Sequence, residues 1–265
     1  MMGLTDTHCH LDDIEFEEDR KSVIQRAVDA GVVKMLCPGI DLISSRAAIA
    51  IAEDYEEVYA AVGVHPNSGL SWNGETLDQL RELSEHPKVI AIGEIGLDYY
   101  RDMTPRYVQE QIFHYQLELA KERELPVVIH NRESIKDVLR MLSNWHDGLV
   151  GIDSELVNRP GVLHSYSGNI EDAEQVARIG FYFGFTGPIT FKKAEGLREV
   201  AASVDVERIL LETDAPYLSP HPNRGKRNEP MQVKLIANKL AEVRKMRSEV
   251  LIQRTYENAE RLFLW

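Results

Sequence analysis

Apolar runs of strand length alternate along this chain with longer segments of helical period. The first strand is expected at about 3–8. Over 15–30, Val23, Ile24, Ala27 and Val28 fall on one stripe that stops at Gly31, which predicts a helix. Strands are then expected at about 32–37, 58–64, 89–94, 126–130, 161–164, 181–185 and 208–213. Helical patterns lie between them at about 43–54, 75–85, 105–122, 134–145, 170–179 and 194–202. The longest loop is expected at 146–160, and a polar loop at 219–230 precedes two last helices at 231–243 and 248–262. Ile209, Leu210 and Leu211 are a near-continuous apolar run of the buried parallel kind.

Eight strands, each followed by a helix, are the count of an α/β (β/α)8 TIM barrel, here expected as one domain over 1–265. A doubly wound open sheet is the alternative. Eight units are many for it, and no Gly-x-Gly-x-x-Gly follows strand one, where a dinucleotide fold carries it.

Composition adds constraints. With 43% hydrophobic and 28% charged residues the chain has material for a sizeable core. Its net charge of −13 repels polyanions, so any nucleic-acid substrate must be drawn in by metal ions and a few local Arg or Lys side chains. The two cysteines, Cys9 and Cys37, both lie in strand-like segments and make no disulfide framework, which fits a reducing compartment. No basic segment leads into an apolar stretch, and no apolar run approaches about 18 residues. A cytoplasmic protein with no membrane partner and no obligate protein partner is expected.

The chemistry collects at strand ends. Along strand one, His8 and His10 point to the same face with Asp6 behind them, while Cys9 points away. Such a pair can chelate one metal ion. In a (β/α)8 barrel the active site lies at the C-terminal ends of the strands. Those ends carry His8 and His10, then His65, Glu94, His130, His164 and Asp214. Each alone is an ordinary polar strand terminus; converging on one rim they form a ligand set. Imidazole with carboxylate suits Zn²⁺ and other first-row divalent ions. The set exceeds one four-coordinate site, so two divalent ions sharing Glu94 are expected, one with His8, His10 and Asp214, the other with His130 and His164. Paired ions of this kind lower the pKa of a bound water towards about 7. Asp214 is placed to accept its proton, so Asp214 and Glu94 are the expected catalytic pair.

Other residues have two readings each. Asp98 orients a ligand, binds substrate or caps a loop. Arg132 makes a bidentate phosphate contact or an ion pair with a neighbouring acid. The compact basic run Arg224-Gly225-Lys226-Arg227 follows strand eight and draws in phosphates or is solvated surface. Tyr99, Tyr100, Tyr166 and Phe185 stack bases or pack the rim.

The motifs resemble those of the TatD-type metal-dependent deoxyribonucleases of the amidohydrolase superfamily. They are Asp6-Thr7-His8-Cys9-His10-Leu11-Asp12, Gly63-Val64-His65-Pro66, and Gly93-Glu94-Ile95-Gly96-Leu97-Asp98-Tyr99-Tyr100. Further along come Pro126-Val127-Val128-Ile129-His130-Asn131-Arg132, Gly161-Val162-Leu163-His164-Ser165-Tyr166-Ser167-Gly168, Glu212-Thr213-Asp214-Ala215-Pro216-Tyr217-Leu218 and Arg224-Gly225-Lys226-Arg227-Asn228-Glu229-Pro230. The resemblance spans the chain in order. It implies a TIM barrel whose two ions (Zn²⁺, Mg²⁺ or Mn²⁺) are held by His8, His10, Glu94, His130, His164 and Asp214. It also implies that His65 contacts a substrate phosphate, and that the activity is 3′-to-5′ exonuclease or other DNase action on DNA, with RNA or tRNA as further partners. The alternatives on the same site are D-aminoacyl-tRNA ester hydrolysis and small-molecule amide hydrolysis; a non-catalytic metal or nucleic-acid binder is the reading from another class. Two departures stand out. The 146–160 loop is longer than the resemblance implies and would alter access beside strands five and six. Asn223 stands where His is common before the Arg-Gly-Lys segment.

Overall fold

The computed structural model describes residues 3–101 and 103–265. Its strands are β1 (Leu4–Asp6), β2 (Val32–Pro38), β3 (Val58–Val62), β4 (Val89–Asp98), β5 (Val127–Arg132), β6 (Gly161–Leu163), β7 (Tyr182–Phe185) and β8 (Ile209–Leu211). They pair in sequence order, each parallel to the one before. Between them run α1 (Arg20–Asp29), α2 (Leu42–Asp54), α3 (Thr76–Leu83), α4 (Arg106–Arg123), α5 (Ile135–Gly151), α6 (Ile170–Arg178) and α7 (Glu195–Ser203). Then α8 (Val233–Val243) and α9 (Ser248–Phe263) complete the chain. The ring closes between β8 and β1 through Thr7 N–H donating to Leu211 O (2.9 Å), Asp214 N–H to His8 O (2.8 Å) and His10 N–H to Ala215 O (2.7 Å). The molecule is a (β/α)8 barrel. Among the described residues no helix is long and apolar enough to cross a membrane.

Strand alternation divides the core into two layers. Met35 and Cys37, Ala60 and Val62, Val127 and Ile129, Phe183 and Phe185, and Ile209 and Leu211 pack outward under the helices. The residues between them, Leu36, Ala61, Val128 and Leu210, join Val162 and Tyr182 inside the barrel. Ala259, Leu262 and Phe263 of α9 close its floor, with Trp265 packed against them. The lumen is therefore filled from below, where Lys34 also bonds Glu260 and the Trp265 carbonyl at the floor.

Three departures from the sequence expectations have local causes. β4 runs on to Asp98, because Ile95 through Asp98 pair with Ile129 through Arg132 of β5. The 146–160 segment is mostly helix. Val138, Leu142, Trp145 and Leu149 continue one buried stripe past Gly148, and Trp145 Nε1–H donates to Leu117 O at 2.8 Å. This connection also joins a helix to the start of a strand, so it lies at the floor and does not border the upper rim. The expected 15–30 helix is a short turn at Ile14–Phe16, capped by Asp13, and then α1 from Arg20.

Candidate metal centre

The upper end of the lumen collects His8 and His10 after β1, His65 after β3, Glu94 and Asp98 on β4, His130 on β5, His164 after β6 and Asp214 after β8. Glu94 reaches it through a bulge. Ile92 pairs with Val127 but Ile95 with Ile129, so β4 spends one more residue than β5 over this span. Ile92 and Ile95 both pack outward. Regular alternation from Ile92 would turn Glu94 outward as well; the extra residue turns it inward instead. The crossing is tight here, since a Cβ on Gly93 would lie 2.6 Å from Val128 Cβ.

Glu94 is the hub. Its Oε2 lies 3.4 Å from His8 Nε2 and 3.7 Å from His10 Nε2. Its Oε1 lies 2.8 Å from His130 Nδ1 and 3.6 Å from both His65 Nε2 and His164 Nε2. Asp214 Oδ1 faces the other side of the first pair, 3.7 Å from His8 Nε2 and 3.6 Å from His10 Nε2. His8 and His10 turn their Nε2 atoms to within 3.2 Å of each other. His164 stacks on His8 with ring centroids 3.6 Å apart and so stands between the two halves.

The electrostatics favour a cation. Burial opposes ionisation of both carboxyls, but the surrounding imidazoles outweigh it and hold Glu94 well below the usual carboxylate range and Asp214 below it. Burial likewise opposes charge on His10 and His164, yet Asp214 lifts His10 to about 9, and Glu94 with Glu212 lifts His164 to about 9. His8 is shifted down by burial and by His164. The two acids thus gather positive charge onto neighbouring rings, the setting in which a divalent ion displaces protons.

The donor set fits such an ion. Donors around one tetrahedral zinc at 2.0–2.1 Å lie about 3.4 Å apart, and His8, His10 and Glu94 stand at 3.2, 3.4 and 3.7 Å. His8, His164 and Asp214 form a second possible donor group, and His65, Glu94 and His130 a third. Among the described residues His8 Nδ1 is buried with no hydrogen-bond partner.

His65 differs from the rest. Its Nδ1 accepts from Asn67 N–H at 3.0 Å, which places the proton of the neutral ring on Nε2. Burial and the neighbouring His130 push its pKa down to about 3, so the ring is neutral near pH 7 and presents an N–H to the centre. That is a donor for an anion more than a ligand for a metal.

The remaining expected residues divide. Asp98 accepts from Asn67 Nδ2 (3.0 Å), Tyr100 N (3.0 Å) and Arg101 N (2.9 Å), and lies 3.3 Å from His130 Nε2. Its carboxylate is occupied within the protein, which favours orienting His130 over touching substrate. Arg132 lines the cleft and lies over the Tyr100 ring at 4.0 Å. Arg224 lies over Phe191 at 4.1 Å and is not among the cleft-lining residues. Arg227 is structural, bonded to Asp19 at 2.8 Å and to Glu15 O at 2.6 Å. Asn223 donates to Gln232 Oε1 at 3.0 Å. Tyr166 and Phe185 are buried in the core, so neither is available to a base. Tyr99 turns its hydroxyl to Asp137 at 3.1 Å, and only Tyr100 of the four is exposed. The cleft above the centre measures about 830 Å³.

Several supporting residues lay outside the sequence reading. Gln116 of α4 bonds both Val64 N (2.6 Å) and Val64 O (3.0 Å), which fixes the approach to His65. Gln109 does the same for Asp98 N (2.8 Å) and O (3.0 Å). Both interrupt the apolar stripe of α4, seven residues apart, and a polar residue on a buried stripe was the available signal. Asp6, which the sequence already places behind His8 and His10, accepts from Thr213 N (2.9 Å) and Thr213 Oγ1 (2.5 Å), tying β1 to β8 below the centre.

Comparison with known proteins agrees with this geometry. The family model described as TatD related DNase matches residues 5–264. The chain is 41% identical over 260 residues to the uncharacterized metal-dependent hydrolase YabD of Bacillus subtilis, covering 98% of each. It is 38% identical over 256 residues to the 3′-5′ ssDNA/RNA exonuclease TatD of Cronobacter sakazakii, covering 94% of each. The crystal structure of YjjV, a TatD homologue from Escherichia coli K12, superposes with a TM-score of 0.92 at 33% identity over 100% of both chains. The barrel, the inward carboxylate hub and these matches together place the chain in the TatD family of metal-dependent hydrolases.

Proposed function

We propose that this chain, acting as one hydrolase domain, cleaves phosphodiester bonds at DNA ends as a 3′-to-5′ exonuclease with two divalent ions. The observation that carries the reading is the division of labour at Glu94. Oε2 faces His8 and His10 while Oε1 faces His130 and His164, so one buried carboxylate serves two ligand groups. The exonuclease named among the relatives supports the choice of bond and substrate. Zn²⁺, Mg²⁺ or Mn²⁺ held by His8, His10, Glu94, His130, His164 and Asp214 would supply Lewis acidity at the phosphoryl group and acidify a neighbouring water.

The chain's own residues do the rest. Asp214 accepts the proton of the attacking water. His65 donates its Nε2–H to a phosphoryl oxygen, and Arg132, held flat by Tyr100, clamps the phosphate from the mouth of the cleft. Asp98 keeps the His130 ring turned towards Glu94.

The test is a single-turnover assay of metal-reconstituted protein on single-stranded DNA labelled at the 3′ or the 5′ end, with D-aminoacyl-tRNA in parallel. Early release of the 3′ label as mononucleotide supports the reading. Intact DNA with deacylated tRNA replaces it with ester hydrolysis, and no turnover of either substrate favours a binding role.

A further inference from the structure

Glu212, just beyond β8, is a carboxylate with no exposed surface that the proposed chemistry does not use. Its surroundings are specific. Oε2 accepts from Ser165 N–H at 2.9 Å and stands 3.4 Å from His164 Nδ1, while Oε1 faces Thr7 Oγ1 at 3.4 Å. Among the described residues His164 Nδ1 has no hydrogen-bond partner and is buried, so Glu212 is the acceptor nearest at hand. Space for the carboxylate is made by Gly184 of β7, where a Cβ would lie 2.2 Å from the Glu212 carboxyl atoms. Ser165 adopts a left-handed backbone with φ of 45°, a conformation costly for a residue bearing a Cβ, and Glu212 holds its N–H.

We infer that Glu212 is a positioning residue for His164: its carboxylate holds the proton on Nδ1, so that Nε2, facing Glu94, is the nitrogen left to bind a cation, and it fixes the turn at Ser165 that aims the ring. The inference rests on the metal centre proposed above. A carboxylate behind a ligand histidine sets both its tautomer and its angle. The arrangement repeats what Asp98 does for His130, but from the opposite side of the lumen and through the other ring nitrogen. Gly184 belongs to the same device, since any larger residue there would push the carboxylate off the ring.

Glu212→Gln separates this role from a purely structural one. The amide oxygen can still accept from Ser165 N–H, so the turn is preserved, while the anion behind Nδ1 is removed. Zinc affinity, read by chelator competition on the whole protein, is expected to fall about 10–100-fold. In ¹⁵N-histidine spectra of the metal-free proteins recorded at about pH 10, where the ring is neutral, wild-type His164 should be protonated on Nδ1 and the variant a mixture of tautomers. Unchanged affinity with an unchanged His164 spectrum overturns the inference, even if the variant melts earlier. Should Glu212→Gln not fold, Gly184→Ala displaces the same carboxylate without removing it. A folded Gly184→Ala protein with wild-type zinc affinity overturns the inference equally, and weakened affinity supports it. If the wild-type protein takes up no zinc, manganese or magnesium, the metal centre itself fails and this inference with it.

Discussion

Asp214 N–H donates to the carbonyl of His8 at 2.8 Å, so these two proposed ligands on either side of the barrel seam form one hydrogen-bonded unit. The seam lacks the regular ladder of the other strand pairs, and its few bonds sit directly beneath the candidate centre. Asp6 strengthens it from below by accepting both the backbone and the hydroxyl of Thr213. Asp6→Ala should strand these two buried donors and cost on the order of 2–4 kcal/mol. Urea unfolding of the metal-free protein measures it; a loss within experimental error would mean the seam closes without Asp6.

Asp214→Asn keeps the seam, because its bond to His8 is made by the backbone. Turnover should nevertheless drop by about 10²–10⁴-fold, the usual contribution of a positioned proton acceptor. The unfolding midpoint should stay near wild type. Near-normal kcat would remove Asp214 as the base.

Arg132 and Tyr100 should act together, since the guanidinium lies over the ring at 4.0 Å. Arg132→Ala is expected to raise KM for a short single-stranded oligonucleotide by about 10–100-fold, the scale of a hydrogen bond to a charged group. Tyr100→Ala should move KM in the same direction by less. A change in kcat alone would place Arg132 elsewhere in the mechanism.

The loop after β8 is anchored by charge. Hydrogen bonds from Arg227, opposed by burial and helped by Arg26, hold the Asp19 carboxyl down at about 2. A depressed acid stabilises the native state above its unfolded pKa, and the contribution disappears as pH falls through the folded value. The difference in urea midpoint between wild type and Asp19→Asn should therefore be full at pH 7 and shrink between about pH 4 and pH 2. A difference independent of pH would assign the effect to another group.

The barrel and the gathering of histidines and acids at its upper end were legible in the chain because both rest on short periods. Alternation along β5 and β8 separates Val128 and Leu210 from their outward neighbours, and along β5 it carries His130 to the rim, while Asp214 follows three residues after β8 ends. Glu94 was found by its place at a strand end, although β4 continues four residues beyond it and only a bulge turns it inward. No local pattern announces that bulge; it arises from pairing with β5. Residues acting across the barrel were out of reach for the same reason. Glu212 meets His164 through the gap left by Gly184, and Gln116 meets Val64 from a helix 52 positions away. The 146–160 segment departs from its expected loop because buried Trp145 and Leu149 carry the helix past Gly148 to Gly151.

If Glu94 serves two ions at once, its removal releases both, and elemental analysis of Glu94→Ala after reconstitution reads this out. Wild type should hold two equivalents of divalent metal, and the variant should lose both together, since its two oxygens face the two ligand groups. A folded Glu94→Ala protein that still holds two full equivalents would contradict the account.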